Sequence, residues 1–355
     1  MNAAVTLRDF RTTVVLAGLG GSLLVATIFS LTIGAVPIPA GDVVVILLQK
    51  LGFFDNTPVD EMHTVVLSSI RVPRIVMTIL IGGALGVSGA ALQGLFRNPL
   101  VEPSLIGVSG GSAAAVVMLI VFGSSLSLHL AGWVYDSLLP IVAFAGGLSA
   151  TFLVLRLSSE LGRTNVAVLI LTGVALNALA GAVIGLAIFY ADENQLRTFT
   201  FWTLGDLGGA TWQKLGFAAP FLIGSTGGLL FFARSLNALA LGESEAYHIG
   251  VDVERTKKLI ILFAALAVGV SVSLSGMIGF VGLVVPHVIR LSFQADNRLV
   301  LPASVLGGAL LLVLADVIAR TVVSPSELPI GVVTALIGAP FFMALLLTAK
   351  KRHEL

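Results

Sequence analysis

Charged residues in this chain are separated by uncharged runs long enough to cross a lipid bilayer, and no other feature restricts its fold so severely. A helix needs roughly 20 apolar residues to cover about 30 Å of hydrocarbon. Arg11 to Asp42 brackets one such run, and Arg74 to Arg97 encloses a second of 22 residues. Glu102 to Asp136 encloses 33, Asp136 to Arg156 19, Arg163 to Asp192 28 and Lys214 to Arg234 19. Lys258 to Arg290 encloses 31, and Arg298 to Asp316 and Glu327 to Lys350 complete the series. The composition says why lipid must be the solvent. Only 11% of residues are charged against about 25% in a soluble domain, 57% are hydrophobic and the mean hydropathy is +1.04. The first apolar run is followed by many others, which reads as a span and not as a removable signal peptide.

The distribution of Lys and Arg orients the chain, because cytoplasmic loops collect them. Arg8 and Arg11 precede the first run and Lys350, Lys351 and Arg352 follow the last, so both termini are expected in the cytoplasm and the number of spans is even. The 31-residue run, interrupted by Gly276, Gly279, Gly282 and Pro286, is then two helices, one of them short. Ten spans result, with 14 of the 20 basic residues inside and Lys50, Arg71, Arg74, Arg197, Lys214 and Arg320 outside. Backbone groups in lipid must be bonded within the chain, so the expected fold is an all-α membrane bundle, residues 1–355 forming one domain. The Gly/Ser-rich segment 107–112 need not be regular helix. Gly82, Gly83, Gly86 and Gly89 suit close helix approach. Gly86-Val-Ser-Gly89 and Gly269-Val-Ser271 each precede a broken element, a faint echo of the kind seen in inverted-repeat transporters.

Reaction chemistry is sparse. There is no cysteine, hence no disulfide and no thiolate site. The five histidines (His63, His129, His248, His287, His353) are scattered, without H-E-x-x-H, and His287 reads as a hydrogen-bonded structural residue; no metal ligand or catalytic residue is expected. Asp316 precedes Arg320 by four residues, the spacing of an ion pair more than of a proton relay. Without a G-x-x-x-x-G-K-[ST] loop, the chain has no nucleotide-hydrolysing motif, so uphill transport would draw its energy from another subunit. A net charge of +1 gives no general attraction to nucleic acid.

The longest polar segment on the expected inner side runs over 237–258. Glu243 and Glu245 open a short helix there, His248 sits near its end and Gly250 at the position after its cap, an order that matches the helix dipole. The chain resembles a known family at this point. The run Ile70-Arg-Val-Pro-Arg74, then Gly89-Ala-Ala-Leu-Gln-Gly-Leu-Phe-Arg-Asn-Pro-Leu100, Glu102-Pro103 and Leu105-Ile-Gly-Val-Ser109 resemble the permease subunits of bacterial ABC importers for vitamin B12, ferric siderophores and haem, the FecCD type. The likeness continues through Leu241-Gly-Glu243 to Gly250, Gly276 to His287 with Arg290, Ala315-Asp316 with Ala319-Arg320, Glu327 to Thr334 and Gly338-Ala-Pro340, covering about residues 60 to 349.

The resemblance implies a ten-helix type II importer permease in the bacterial inner membrane, a homodimer with the path between its subunits. Two cytoplasmic ATPases, which bind the ATP and Mg, would grip the inner face, and a periplasmic binding protein would deliver the substrate; this chain itself would carry no cofactor. Leu241, Gly242, Glu243, Glu245, Ala246 and Gly250 match the coupling helix that seats in the ATPase. Arg71, Arg74 and Arg320 match positions that dock acidic residues of the binding protein, a task suited to the planar guanidinium fork. The segment 192–212 resembles the mouth-lining stretch, and its Phe-Trp-Thr-Leu-Gly and Gly-Gly-Ala-Thr-Trp wording is that of haem permeases; Arg197, Phe201 and Trp202 are the path candidates, fit for a flat ring bearing carboxylates. Ferric siderophore or cobalamin is the alternative cargo. An ion-coupled secondary transporter is the rival of another class.

Overall fold

The structure is a computed structural model that describes residues 2–34, 36–50, 52–53, 57–123, 132–160, 163–293 and 295–353. His129 lies outside the described residues, as do the side chains of Arg8, Arg11, Asp136, Lys350, Lys351, Arg352 and His353. The described chain is almost wholly helical, as the demand for internal backbone bonding predicts. Its first part comprises α1 (Asn2–Thr32), α2 (Ala40–Lys50), α3 (Glu61–Val65), a π-helical turn Val66–Arg71, α4 (Val72–Phe96), a 3-10 turn Pro103–Ile106 and α5 (Val108–Phe122). Then come α6 (Gly132–Leu157), a two-residue hairpin of β1 (Ser159–Glu160) and β2 (Arg163–Thr164), α7 (Val166–Tyr190), α8 (Glu193–Leu204) and α9 (Trp212–Phe231). The remainder is α10 (Ala233–Leu241), α11 (Glu243–His248), α12 (Val253–Ser275), α13 (Val281–Ser292), α14 (Asn297–Thr321) and α15 (Ile330–His353).

Among the described residues, seven helical stretches are long and apolar enough to cross a membrane, and three shorter apolar helices accompany them: Val108–Phe122, Val281–Ser292 and Ile330–Ala344. The 31-residue run divides as its glycines predict. α12 ends at Gly276, which takes φ +68, and α13 starts after Phe280, a non-glycine residue at φ +67. The segment 107–112 is more regular than expected, because only Gly107 is left-handed and α5 begins at once at Val108. Pro73 explains the π turn that precedes α4: it cannot donate, and the Val72 N–H reaches back five residues to the Leu67 carbonyl.

α4 is the central post, most of its residues buried, while only Leu169, Gly173, Ala180 and Ala187 of α7 are. Its glycines make that possible. A Cβ on Gly86 would run into the Ser304 carbonyl of α14, and one on Gly89 into the Gly282 carbonyl of α13, so backbones touch where side chains would keep helices apart. Both stretches of the faint echo, in α4 and α12, are followed by short helices, α5 and α13.

Candidate functional site at the two ends of the bundle

α4 and α14 run between two polar clusters. The first gathers the expected docking arginines, and the structure turns all three inward: Arg71, Arg74 and Arg320 are 4%, 7% and 8% exposed. Arg74 donates through Nε to Asp316 Oδ1 at 2.9 Å and forks onto Glu327, with Nη1 to Oε1 at 3.0 Å and Nη2 to Oε2 at 2.8 Å. Arg320 Nε lies 3.0 Å from Asp316 Oδ2, the expected i, i+4 pair, though off the line of an N–H···O bond. Its Nη2 donates to Ser30 Oγ at 2.7 Å. Arg71 donates to the Leu31 carbonyl at 2.5 Å and to that of Val36. Carbonyls near the end of α1, which the helix cannot bond for itself, are thus held by two guanidiniums from α14 and the π turn.

The physical consequence is a network in which Arg74 and Arg320 share Asp316 and Arg74 also takes Glu327, while Arg71 and Arg320 hold the end of α1. Glu327, 43% exposed at its side chain, is its most accessible member. Reversing Arg71 and Arg74 to Glu would set new carboxylates beside Asp316 and Glu327, so such a variant reads stability and not docking.

At the opposite end lies the segment expected to couple. It forms two short helices, α10 and α11, separated by Gly242 at φ +147 and closed by Gly250 at φ +90. Glu243 and Glu245 are in its first turn and His248 in its last, in the order the dipole favours. Ala246 is fully buried beneath the helix, while Leu241, Tyr247 and Ile249 are 72%, 71% and 65% exposed. Tyr247 and Ile249, which the family likeness does not single out, leave their large side chains exposed at the bundle's end. Glu243 is occupied by Lys257 Nζ at 2.7 Å. Nearby, Asn237 joins α10 to α14, donating to Asp296 Oδ1 at 2.6 Å and accepting from the Asn297 amide at 2.9 Å, and Asn297 Oδ1 receives Arg290 at 3.2 Å.

Segment 192–204 forms a helix, α8, that begins with a capping box: the Asp192 side chain accepts from the Gln195 amide at 2.8 Å and Gln195 Oε1 accepts from the Asp192 amide at 3.0 Å. Of the path candidates, Arg197 and Phe201 come together on its exposed side, guanidinium carbon 5.8 Å from the ring centroid. Trp202 points the other way, half-buried and stacked on buried Phe199 at 6.4 Å. A carbonyl contact fixes the helix end, for a Cβ on Gly276 would overlap the Trp202 oxygen. Below it, Glu102, Ser104, Ser109, Val272 and Met277 help line a cavity of about 170 Å³ at the α12–α13 break. Glu102 Oε1 there accepts from the Phe280 amide at 3.1 Å, capping α13, a role sequence alone did not disclose.

Among the described residues the histidines stay apart. His63 Nδ1 lies 2.7 Å from Asp42 and joins α3 to α2. His287 packs edge-on against Phe341, and neither buried ring nitrogen meets a hydrogen-bond partner among the described residues, so the expected hydrogen-bonded histidine is instead an apolar-packed one. No group of three His, Cys, Asp or Glu side chains converges among the described residues.

The fold and its polar clusters define a multi-pass helical membrane protein with a glycine-packed central helix. The profile of the FecCD transport family matches residues 22–348, and the chain belongs to that family. It is 42% identical over 299 residues to the hemin transport system permease protein HmuU of Yersinia pestis, covering 84% of this chain and 88% of that protein. It is 41% identical over 288 residues to the cobalamin import system permease protein BtuC of Halobacterium salinarum, covering 81% and 75%. Among solved structures, an inward-facing metal-chelate type ABC transporter superposes with a TM-score of 0.80 at 32% identity, over 94% of this chain and 98% of that one.

Proposed function

We propose that the chain is the membrane-spanning permease of an ATP-driven importer that carries a metal chelate inward, with haem the favoured cargo and ferric siderophore or cobalamin next. The observation that carries it is the pairing of FecCD membership with an exposed apolar surface, Leu241, Tyr247 and Ile249, on the short helices at one end of the bundle. Large exposed apolar groups clustered at a water-facing end mark a protein contact, and a chain without a nucleotide-binding loop needs an ATPase partner. In this reading the seven long and three short apolar helices are ten spans with both termini cytoplasmic. The working unit is a homodimer in the inner membrane with two ATPases, which hold ATP and Mg, and a periplasmic binding protein. Arg197 over Phe201 offers a cation and a ring face to a flat, carboxylate-bearing ligand, the basis for favouring haem. Asp316 does not suit a proton relay, because Arg74 and Arg320 lie against its two carboxylate oxygens.

The docking role of Arg71, Arg74 and Arg320 is retained in altered form: a binding-protein carboxylate reaches Arg74 by replacing Glu327. Glu327→Gln weakens the competitor while leaving Asp316 in place, and tighter docking of the binding protein is the expected result, read by titration on the reconstituted complex. Weaker docking would remove Arg74 from the interface.

The deciding experiment presents haem, a ferric siderophore and cobalamin, each on its own binding protein, to the complex in liposomes. Haem is expected to accelerate hydrolysis and to be taken up. Uptake that survives vanadate but stops with an uncoupler would replace the importer by a secondary transporter. Arg197→Ala should slow haem uptake by about tenfold, a loss of roughly 1.4 kcal/mol, with docking unaltered; normal uptake would take Arg197 off the path.

A further inference from the structure

Lys257 stands where three elements meet. It lies in the second turn of α12, its side chain is 4% exposed, and its ammonium has an acceptor for each of its three protons. Glu243 Oε2, on the first residue of α11, is 2.7 Å away; Glu254 Oε1, one turn back, is at 3.1 Å; the Thr164 carbonyl, at the end of the hairpin that leads into α7, is at 3.2 Å. Glu254 completes the joint, since its other oxygen accepts from the Thr164 amide at 2.7 Å. The hairpin is itself closed by the pairings of Ser159 with Thr164 and Glu160 with Arg163. One buried cation therefore fixes α11, α12 and the base of α7 relative to one another. An apolar side chain of the same length would pack here without the desolvation of a charge. What the ammonium adds is direction: it pulls on α11 and on the α7 hairpin along defined bonds.

The shape of α7 gives that pull somewhere to go. The helix is 25 residues long and begins at the hairpin, with Asn165 as its cap. Its backbone meets the Pro103–Ile106 turn at Gly173, where a Cβ would overlap the Leu105 carbonyl. Beyond Tyr190 it passes within two residues into α8, which carries Arg197 and Phe201. Few of its side chains are packed within the chain, in contrast to α4.

We propose that Lys257 is the positioning residue through which displacement of α11 is delivered to α7, and so from the ATPase contact to the far end of the path. The proposal rests on the reading of α10 and α11 as the ATPase-docking segment. The test is the amount of substrate carried per ATP hydrolysed by the complete complex in liposomes, with haem on its binding protein as the probe. Lys257→Met should lower that ratio roughly fivefold or more, the scale of a coupling between two sites, and Lys257→Arg, whose fork still meets the carboxylates, should keep most of it. A purely structural lysine would reduce the yield of complex and leave the ratio alone. Should Lys257→Met fail to assemble, Glu243→Gln removes the α11 carboxylate that meets Lys257, with Glu245 still charged and Lys257 still paired with Glu254; the same fall in ratio is expected with ATPase binding unaltered. A native ratio in the variants that assemble overturns the proposal. Absence of any ATP-driven uptake by the unaltered complex would instead bring down the importer reading, and this inference with it.

Discussion

Asp316→Ala is expected to destabilise the protein by about 3–5 kcal/mol, the scale of removing one partner from a buried ion pair. Asp316 is 1% exposed and lies between Arg74 and Arg320, with Arg71 close behind. Without it, Arg74 keeps only Glu327 and Arg320 loses its carboxylate, and water cannot replace the lost charge in so dry a place. Asp316→Asn should fall between, since an amide oxygen still accepts from Arg74 Nε. Glu327→Gln removes the same charge from a half-exposed position and should cost about 1 kcal/mol or less. Thermal unfolding of the three variants in one detergent orders them. Equal midpoints for Asp316→Ala and Glu327→Gln would mean that the network does not hold α1, the π turn and α14 together.

The same cluster shows where sequence stops being informative. Span length was legible because it is a local property: uncharged runs had to become helices, and the 31-residue run had to break at its glycines. The Asp316–Arg320 pair was legible because four residues is one helical turn. Arg74 was not, for an arginine near a helix end looks the same whether it faces water or a carboxylate 242 positions away. Lys257 was hidden in the same way among the basic residues of a polar segment, and Glu102 among the turn residues after α4. Other features are local and carry their meaning in the sequence itself. Asp192 followed three residues later by Gln195 announces a helix start, which predicts α8. Tyr247 and Ile249 in a polar segment announce a contact, whereas the acidic residues around them announce only a helix dipole.

Gly89→Ala should be the most damaging conservative change in the membrane core. Its added carbon would overlap the Gly282 carbonyl oxygen, a backbone atom without rotamers to yield. Nor can the facing strip of α13 shift freely: Gln93 Nε2 holds the Leu283 carbonyl at 3.2 Å, and Glu102 holds the Phe280 amide at 3.1 Å. Overpacking that side-chain movement can absorb costs roughly 1–3 kcal/mol; here α4 and α13 must separate, so the cost should reach or exceed the top of that range. Gly216→Ala on α9, with open space around it, supplies the contrast. There the change should be neutral or add about 0.4–1 kcal/mol by restricting the unfolded chain. Monodisperse yield and unfolding midpoint in detergent would separate the two. A Gly89→Ala protein as stable as the Gly216→Ala one would show that α4 and α13 do not meet backbone to backbone, and the central post would have to be packed some other way.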